Sequence, residues 1–257
     1  MLEQKLDEAP WTTRQTFAGV FFTLVPWVVF ALVISLFTGQ SGSTRPLSSQ
    51  QDLISAIVTF LFSSLIEAAF LIAPFYFALH AYDYITSRRE RIRLALGALG
   101  FRRFPIVRTL LWIVFFFFLI LAVNILYQYV LTTFHLNLQT NDQYILKQSK
   151  NAPLSTYATL IAAVFVAPFC EEVFFRGFVF PGLLRGMSLG WATVLSALLF
   201  AVAHADAGSF AVLFVIGLAL AFLRWRLRSI WPCILLHLLN NGISALVIVL
   251  TILGVLR

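Results

Sequence analysis

Three short segments hold the residues able to do chemistry. The first, Ala167-Pro168-Phe169-Cys170-Glu171-Glu172-Val173-Phe174-Phe175-Arg176-Gly177, places two adjacent carboxylates and a guanidinium inside an apolar run. Glu172 and Arg176 are four residues apart with the acid on the N-terminal side, the favoured order for an ion pair on one helical face. That pairing leaves Glu171, about 100° around the helix, without a local partner. A carboxylate so placed can act as a general base. The second segment is Phe200-Ala201-Val202-Ala203-His204. The third is His237-Leu238-Leu239-Asn240-Asn241, whose His237 and Asn241 again lie four apart and project from one face. An imidazole and an amide together could donate hydrogen bonds to an oxyanion. Each signal has a bland alternative: a structural ion pair, a histidine bonding two helices, an amide capping a broken helix. Their concentration in three successive apolar segments favours a common site.

Chemistry at such residues needs elements that bring them to one depth. Glu171 and His204 are equally distant in sequence from Met187–Ser188, so an antiparallel hairpin turning there would set them opposite each other, provided that Pro181 leaves the first arm helical. Ala197 and Ala201 give the His204 helix a small-residue face on which a neighbour can pack closely. No serine or cysteine nucleophile competes: Ser196 lies two turns before His204 without a catalytic motif, and Cys170 has no flanking histidine. Cys170 and Cys233 read as packing residues, since no CxxC spacing is present.

The surrounding composition identifies the solvent. Hydrophobic residues make up 60% of the 257-residue chain, charged residues only 11%, mean hydropathy is +0.91, and 27 residues are Phe. A water-soluble protein of this size could not bury so much apolar surface. Candidate spans are Phe17–Phe37, Leu53–Ala81, Phe104–Phe134, Leu154–Phe175, Leu189–His204, Phe210–Leu223 and Ile230–Leu256; a break of the last near Asn241–Gly242 would make two. The expectation is an all-α, polytopic transmembrane helix bundle of seven or eight spans, because only helices and closed barrels satisfy the backbone in lipid. It divides into an N-terminal part, 1–153, with three spans, and a C-terminal part, 154–257, within one continuous membrane domain.

The net charge of +7 does not point to nucleic acid, because the basic residues cluster in short connections. Asp83–Arg103 contains six arginines, and Arg224, Arg226 and Arg228 form a second basic turn. Placing these in the cytoplasm puts the N-terminus, with Glu3, Asp7 and Glu8, inside, and Thr38–Gln51 and Leu136–Pro153 outside. Phe17–Phe37 is too long for a signal-peptide core and reads as a retained span. The first three spans hold one internal acid, Glu67, which with His80 is expected to lie outside the site; the later spans hold the rest.

The ordered pattern Glu-Glu-x-x-x-Arg, Phe-x-x-x-His and His-x-x-x-Asn resembles the CPBP family, the type II CAAX-prenyl endopeptidases and bacteriocin-processing proteins also called Abi. Glu171, Glu172, Arg176, Phe200, His204, His237 and Asn241 carry the resemblance, which covers roughly Leu154–Leu256. It implies an intramembrane endopeptidase in which Glu171, assisted by His204, activates water, Arg176 holds Glu172, and His237 and Asn241 stabilise the oxyanion. The substrate would be a membrane-associated peptide or protein, prenylated or carrying a leader, and the location a bacterial cytoplasmic membrane. The family is also described as metalloproteases, and Glu171, His204 and His237 could supply three zinc ligands, although the HExxH signature is absent. The residue types favour water activation by carboxylate, with no firm cofactor and Zn2+ as the alternative. A proton-coupled transporter or a non-proteolytic scaffold are the rival classes; the absence of an internal repeat argues against the first, and the complete Glu/His set against the second.

Overall fold

The computed structural model describes residues 9–38 and 46–256, which form helices joined by turns and short irregular segments. Glu3, Asp7, Glu8 and residues 39–45 of the Thr38–Gln51 connection lie outside the described residues. The helices are α1 (Thr13–Thr38), α2 (Ser49–Ala69), α3 (Ile72–His80), α4 (Arg88–Ala98), α5 (Ile106–Thr133), α6 (Asn141–Ser149), α7 (Pro153–Leu184), α8 (Leu189–Ala203), α9 (Phe210–Leu227) and α10 (Trp231–Ile252). Among the described residues five helical stretches are long and apolar enough to cross a membrane: α2 with α3, α5, α7, α9 and α10. With the 26-residue α1 and the shorter apolar α8, the bundle has the expected seven, and this is an integral membrane protein. The last apolar run forms one helix, not two. The run over Leu53–Ala81 is interrupted at Phe70–Leu71, just before Pro74, whose missing N–H prevents a continuous ladder. Two connections expected as polar loops contain short helices, α4 and α6; Ser87 caps the first, and Thr140 with Gln143 forms a capping box on the second.

The core follows α7. Its residues 172–183 are buried without a break, and Phe174, Phe175 and Phe178 meet Phe70, Phe77 and Phe200 edge-on or stacked. Side chains at and just before the start of α1 reach this helix: Trp11 and Thr13 donate to the carbonyls of Phe178 and Gly182. At the opposite end α2 fixes the start of α7, where the Asp52 carboxylate accepts from the backbone N–H groups of Leu154 and Ser155 at 2.8 and 3.0 Å. That carboxylate occupies the N-terminal site where a helix leaves unpaired donors and a positive dipole end. Gly217 on α9 lies against Ala197 on α8, and a Cβ there would sit 2.8 Å from the Ala197 Cα. The small face of α8 therefore serves its contact with α9 rather than its approach to α7.

Candidate active site

Two prolines shape the helix that carries the acids. In α7 the segments Ala162–Val166 and Val173–Val179 are π-helical, and between them Ala167–Glu172 is α-helical. The first π turn closes with the Ala167 N–H on the Ala162 carbonyl, five residues back. The next donor in that register would be residue 168 on Ala163, but Pro168 has no N–H. The orphaned Ala163 carbonyl accepts instead from the side-chain amide of Asn241, at 2.9 Å. The second π turn repeats the pattern. Phe180 N–H reaches the Phe175 carbonyl, Pro181 cannot continue to Arg176, and the Arg176 carbonyl accepts from Arg224 Nε at 3.0 Å. In lipid an unpaired carbonyl costs several kcal/mol, so each proline requires its side-chain substitute.

Glu172 and Arg176 form the ion pair read from their spacing, at 3.0 Å and with both side chains fully buried. Arg176 also donates to the Gly217 carbonyl at 3.2 Å, and its guanidinium carbon lies 4.3 Å from the centre of the Phe200 ring. The same Glu172 oxygen meets His237 Nδ1 at 3.0 Å. A carboxylate paired with arginine only accepts, so His237 Nδ1 carries a hydrogen and the Nε2 edge is left for another partner. His204 is oriented in the same sense, with Nδ1 2.8 Å from the Phe200 carbonyl. Its Nε2 lies 3.6 Å from Glu171 Oε2, too long for a hydrogen bond and short enough for one bridging atom. One ligand atom from each of Glu171, His204 and His237 lies within 4.8 Å of the others.

Five of the six expected site residues thus form two linked pieces. Glu172, Arg176 and His237 make a buried frame, and Glu171 joins His204 and the free edge of His237. Asn241 gives one side-chain N–H to the Ala163 carbonyl and keeps a second, while His237 holds Glu172 through Nδ1 and keeps its Nε2 edge for other partners. A cavity of about 480 Å³ runs from His204, Asn240 and Asn241 to Thr140, Asn141 and Asp142 at the start of α6. Asp206, unremarked in the sequence, closes the turn after His204 by accepting from the N–H groups of Asn141 and Ser209, at 3.0 and 2.9 Å. Glu67 does not line that cavity, yet its carboxylate interacts electrostatically with Glu171, and one buried oxygen has no hydrogen-bond partner. His80 pairs with Asp83 at 3.5 Å in an exposed position. Cys170 and Cys233 are free and buried.

The residues fit a zinc ion. Ligand atoms 2.0–2.1 Å from a tetrahedral ion lie about 3.4 Å apart, close to the observed 3.6 Å between His204 and Glu171. Both histidines are also braced as metal ligands are, with the second nitrogen donating to a carboxylate or a carbonyl.

An apolar helix bundle enclosing two carboxylates, an arginine and two histidines defines a class: a membrane protein with a buried polar centre. Comparison with known proteins narrows it. Residues 153–243 match the family model described as Type II CAAX prenyl endopeptidase Rce1-like, and over that segment the resemblance to the CPBP family is confirmed. A Bacillus subtilis (strain 168) protein named "Putative membrane peptidase YdiL" is 32% identical over 101 residues; the aligned part is 39% of this chain and 40% of that protein. No solved structure matches.

Proposed function

We propose that this protein is an intramembrane endopeptidase that hydrolyses a peptide bond of a membrane-associated substrate at the Glu171–His204–His237 cluster. The observation that carries the reading is the convergence of these three side chains within 4.8 Å, on three helices of an otherwise apolar bundle. Charged groups at such depth are costly unless they serve a purpose. The match of residues 153–243 to an endopeptidase family supports it.

In the reaction, Glu171 takes one proton from a water, and the water oxygen bonds to the scissile carbonyl carbon. The carbonyl oxygen becomes an oxyanion. As the tetrahedral intermediate collapses, the C–N bond breaks, and the leaving nitrogen receives the proton held by Glu171. The His204 and His237 Nε2 atoms, both acceptors, orient the water, while Glu172, locked by Arg176, fixes the His237 ring. A zinc ion held by Glu171, His204 and His237 would supply Lewis-acid polarisation and lower the pKa of a bound water to about 7. The bracing of both histidines suits a metal ligand and a water-orienting acceptor alike. The arginine distribution supports a cytoplasmic N-terminus in a bacterial cytoplasmic membrane.

The test is cleavage of membrane-associated peptides by the protein purified in detergent. Glu171→Ala should lower turnover by about 10²- to 10⁴-fold, the contribution of a positioned base, while helicity and melting are retained. Undiminished turnover in this variant would refute the assignment. Stoichiometric zinc, with activity lost on chelation and regained on its return, would identify the metal form; full activity in chelator would identify the carboxylate form.

A further inference from the structure

The two ends of the bundle differ in charge and in access to the cluster. One end carries Arg88, Arg89, Arg91 and Arg93 on α4, with Arg102 and Arg103 just after it. The Ile230 N–H donates to the Gly100 carbonyl at 3.0 Å and Ser229 Oγ to the Arg102 carbonyl at 2.8 Å, so the turn holding Arg226 and Arg228 lies at the same end. Arg185 joins it through the Ala9 carbonyl. The opposite end, bearing α6, contributes only Lys147 and Lys150 among the described basic residues. By the positive-inside rule the arginine-bearing end faces the cytoplasm.

Depth alone would favour approach from that end, because His237 lies only six residues, about 9 Å, from the start of α10. The packing closes that route. From Glu172 onward α7 runs toward the arginines as a continuous buried stretch, with Phe174, Phe175, Arg176 and Phe178 at 0% exposure and Arg224 bonded across it. The cavity touching His204 leads the other way, between α5, α9 and α10, and ends beneath α6. α6 is tied over it at defined points: the Asn141 N–H on Asp206, and Ser244 Oγ on the Asp142 carboxylate at 2.7 Å. The turn after His204 packs against the approach to α6 so closely that a Cβ on Gly208 would sit 2.6 Å from the Gln139 carbonyl oxygen.

We infer that the substrate reaches the cluster from the α6 end, opposite the arginines, so that the peptides cut are segments presented at the outer face of the membrane, such as the stretch flanking a span of an exported protein, rather than cytoplasmic C-terminal tails. The α6 helix is the strap under which such a segment passes. Its side-chain anchors are the exposed Ser244–Asp142 contact and the part-buried Asn141–Asp206 contact, neither of which involves Glu172, Arg176 or His237, so the strap can lift without disturbing the buried frame. The polar lining beneath it, including Asn124, Gln128 and Asn240, can pair with the backbone of an extended chain. The inference rests on the peptidase reading and adds the side from which the substrate comes.

Access is measured without reference to activity. Asn240→Cys, at the floor of the cavity, is treated with a charged, membrane-impermeant maleimide in right-side-out and inverted vesicles; Cys170 and Cys233 are buried. Labelling should occur in right-side-out vesicles. In an Asp142→Cys/Ser244→Cys background, oxidation should slow it by about tenfold or more, as expected when the open form is held near a tenth of its population, and reductant should restore it. Labelling confined to inverted vesicles would overturn the inference, as would a rate indifferent to the cross-link. Arg89→Cys, labelled only in inverted vesicles, confirms the orientation and shows that each variant is folded and inserted. N-terminal labelling of membrane proteins from cells producing the protein or its Glu171→Ala variant then locates the cuts. New N-termini flanking spans on the outer side support the inference, and new N-termini in cytoplasmic tails refute it while leaving the peptidase intact. If no new N-termini arise, the peptidase reading fails, and labelling alone decides the route.

Discussion

The two halves of the bundle bury their helices to different degrees. In the most apolar stretch of α2–α3, 11% of residues are buried, and in that of α5, 22%; in α7 the figure is 61%, in α9 50% and in α10, which brings only its His237 side inward, 28%. The first group presents Leu61, Leu65, Leu111 and Phe118 outward, as a lipid-facing surface should. The second encloses Glu172, Arg176 and His237 at 0–2% exposure. The difference shows where sequence has to be specific. A helix facing lipid needs little beyond apolar side chains. A helix holding charge away from both lipid and water needs a partner for every polar atom, and so its residue types and spacing are constrained.

The comparison makes predictions that run from severe to negligible. Arg176→Ala strands Glu172 without its cationic partner in a fully buried site, an uncompensated charge that costs about 3–5 kcal/mol. Thermal unfolding in detergent should show the loss, whereas Arg93→Ala, on the exposed α4, should leave the melting temperature unchanged. A stable Arg176→Ala protein would mean that the two regions do not differ in this way.

Gly217→Ala forces α9 away from Ala197 and disturbs the carbonyl that Arg176 uses, so overpacking should cost about 1–3 kcal/mol. Gly242→Ala, where a Cβ meets nothing within 4 Å, should instead be neutral or stabilising.

A double-mutant cycle sharpens the role of Asn241. Asn241→Ala alone strands the Ala163 carbonyl, at about 1–3 kcal/mol. With Pro168→Ala a backbone N–H returns to serve that carbonyl, and the cost of Asn241→Ala should largely vanish. Additive costs would indicate that the amide acts elsewhere, for example on the substrate. At the small end, Phe118→Ala on the outward face of α5 should shift stability by no more than about 0.5 kcal/mol. A larger loss would show that α5 is covered by another protein rather than by lipid.

The sequence by itself determined much of this protein. Its apolar runs specify membrane helices, since no other open structure satisfies the backbone in lipid. The four-residue spacing of Glu172 and Arg176 is a property of one helix, and the pair formed as read. The three segments holding Glu171, His204 and His237 were legible because charge within an apolar run is conspicuous whatever the fold. The tertiary structure decided what depends on distant partners. Which nitrogen each histidine turns toward Glu171 is set by Glu172 for one and by the Phe200 carbonyl for the other, and only packing brings those acceptors into place. The commitment of Asn241 to Ala163 follows from Pro168, 73 positions away, together with a π register that no residue type announces. Glu67 lies outside the cavity, as its place in the first half implied, yet the packing of α2 against α7 brings its charge within reach of Glu171. The α6 strap arises from a capping box in a polar connection, and its place over the cavity is fixed by Asp206 and Ser244, whose distance in sequence conceals their distance in space. Local periodicity encodes helices and the pairs within them, whereas orientation, register and access are properties of surfaces that meet only after the chain has folded.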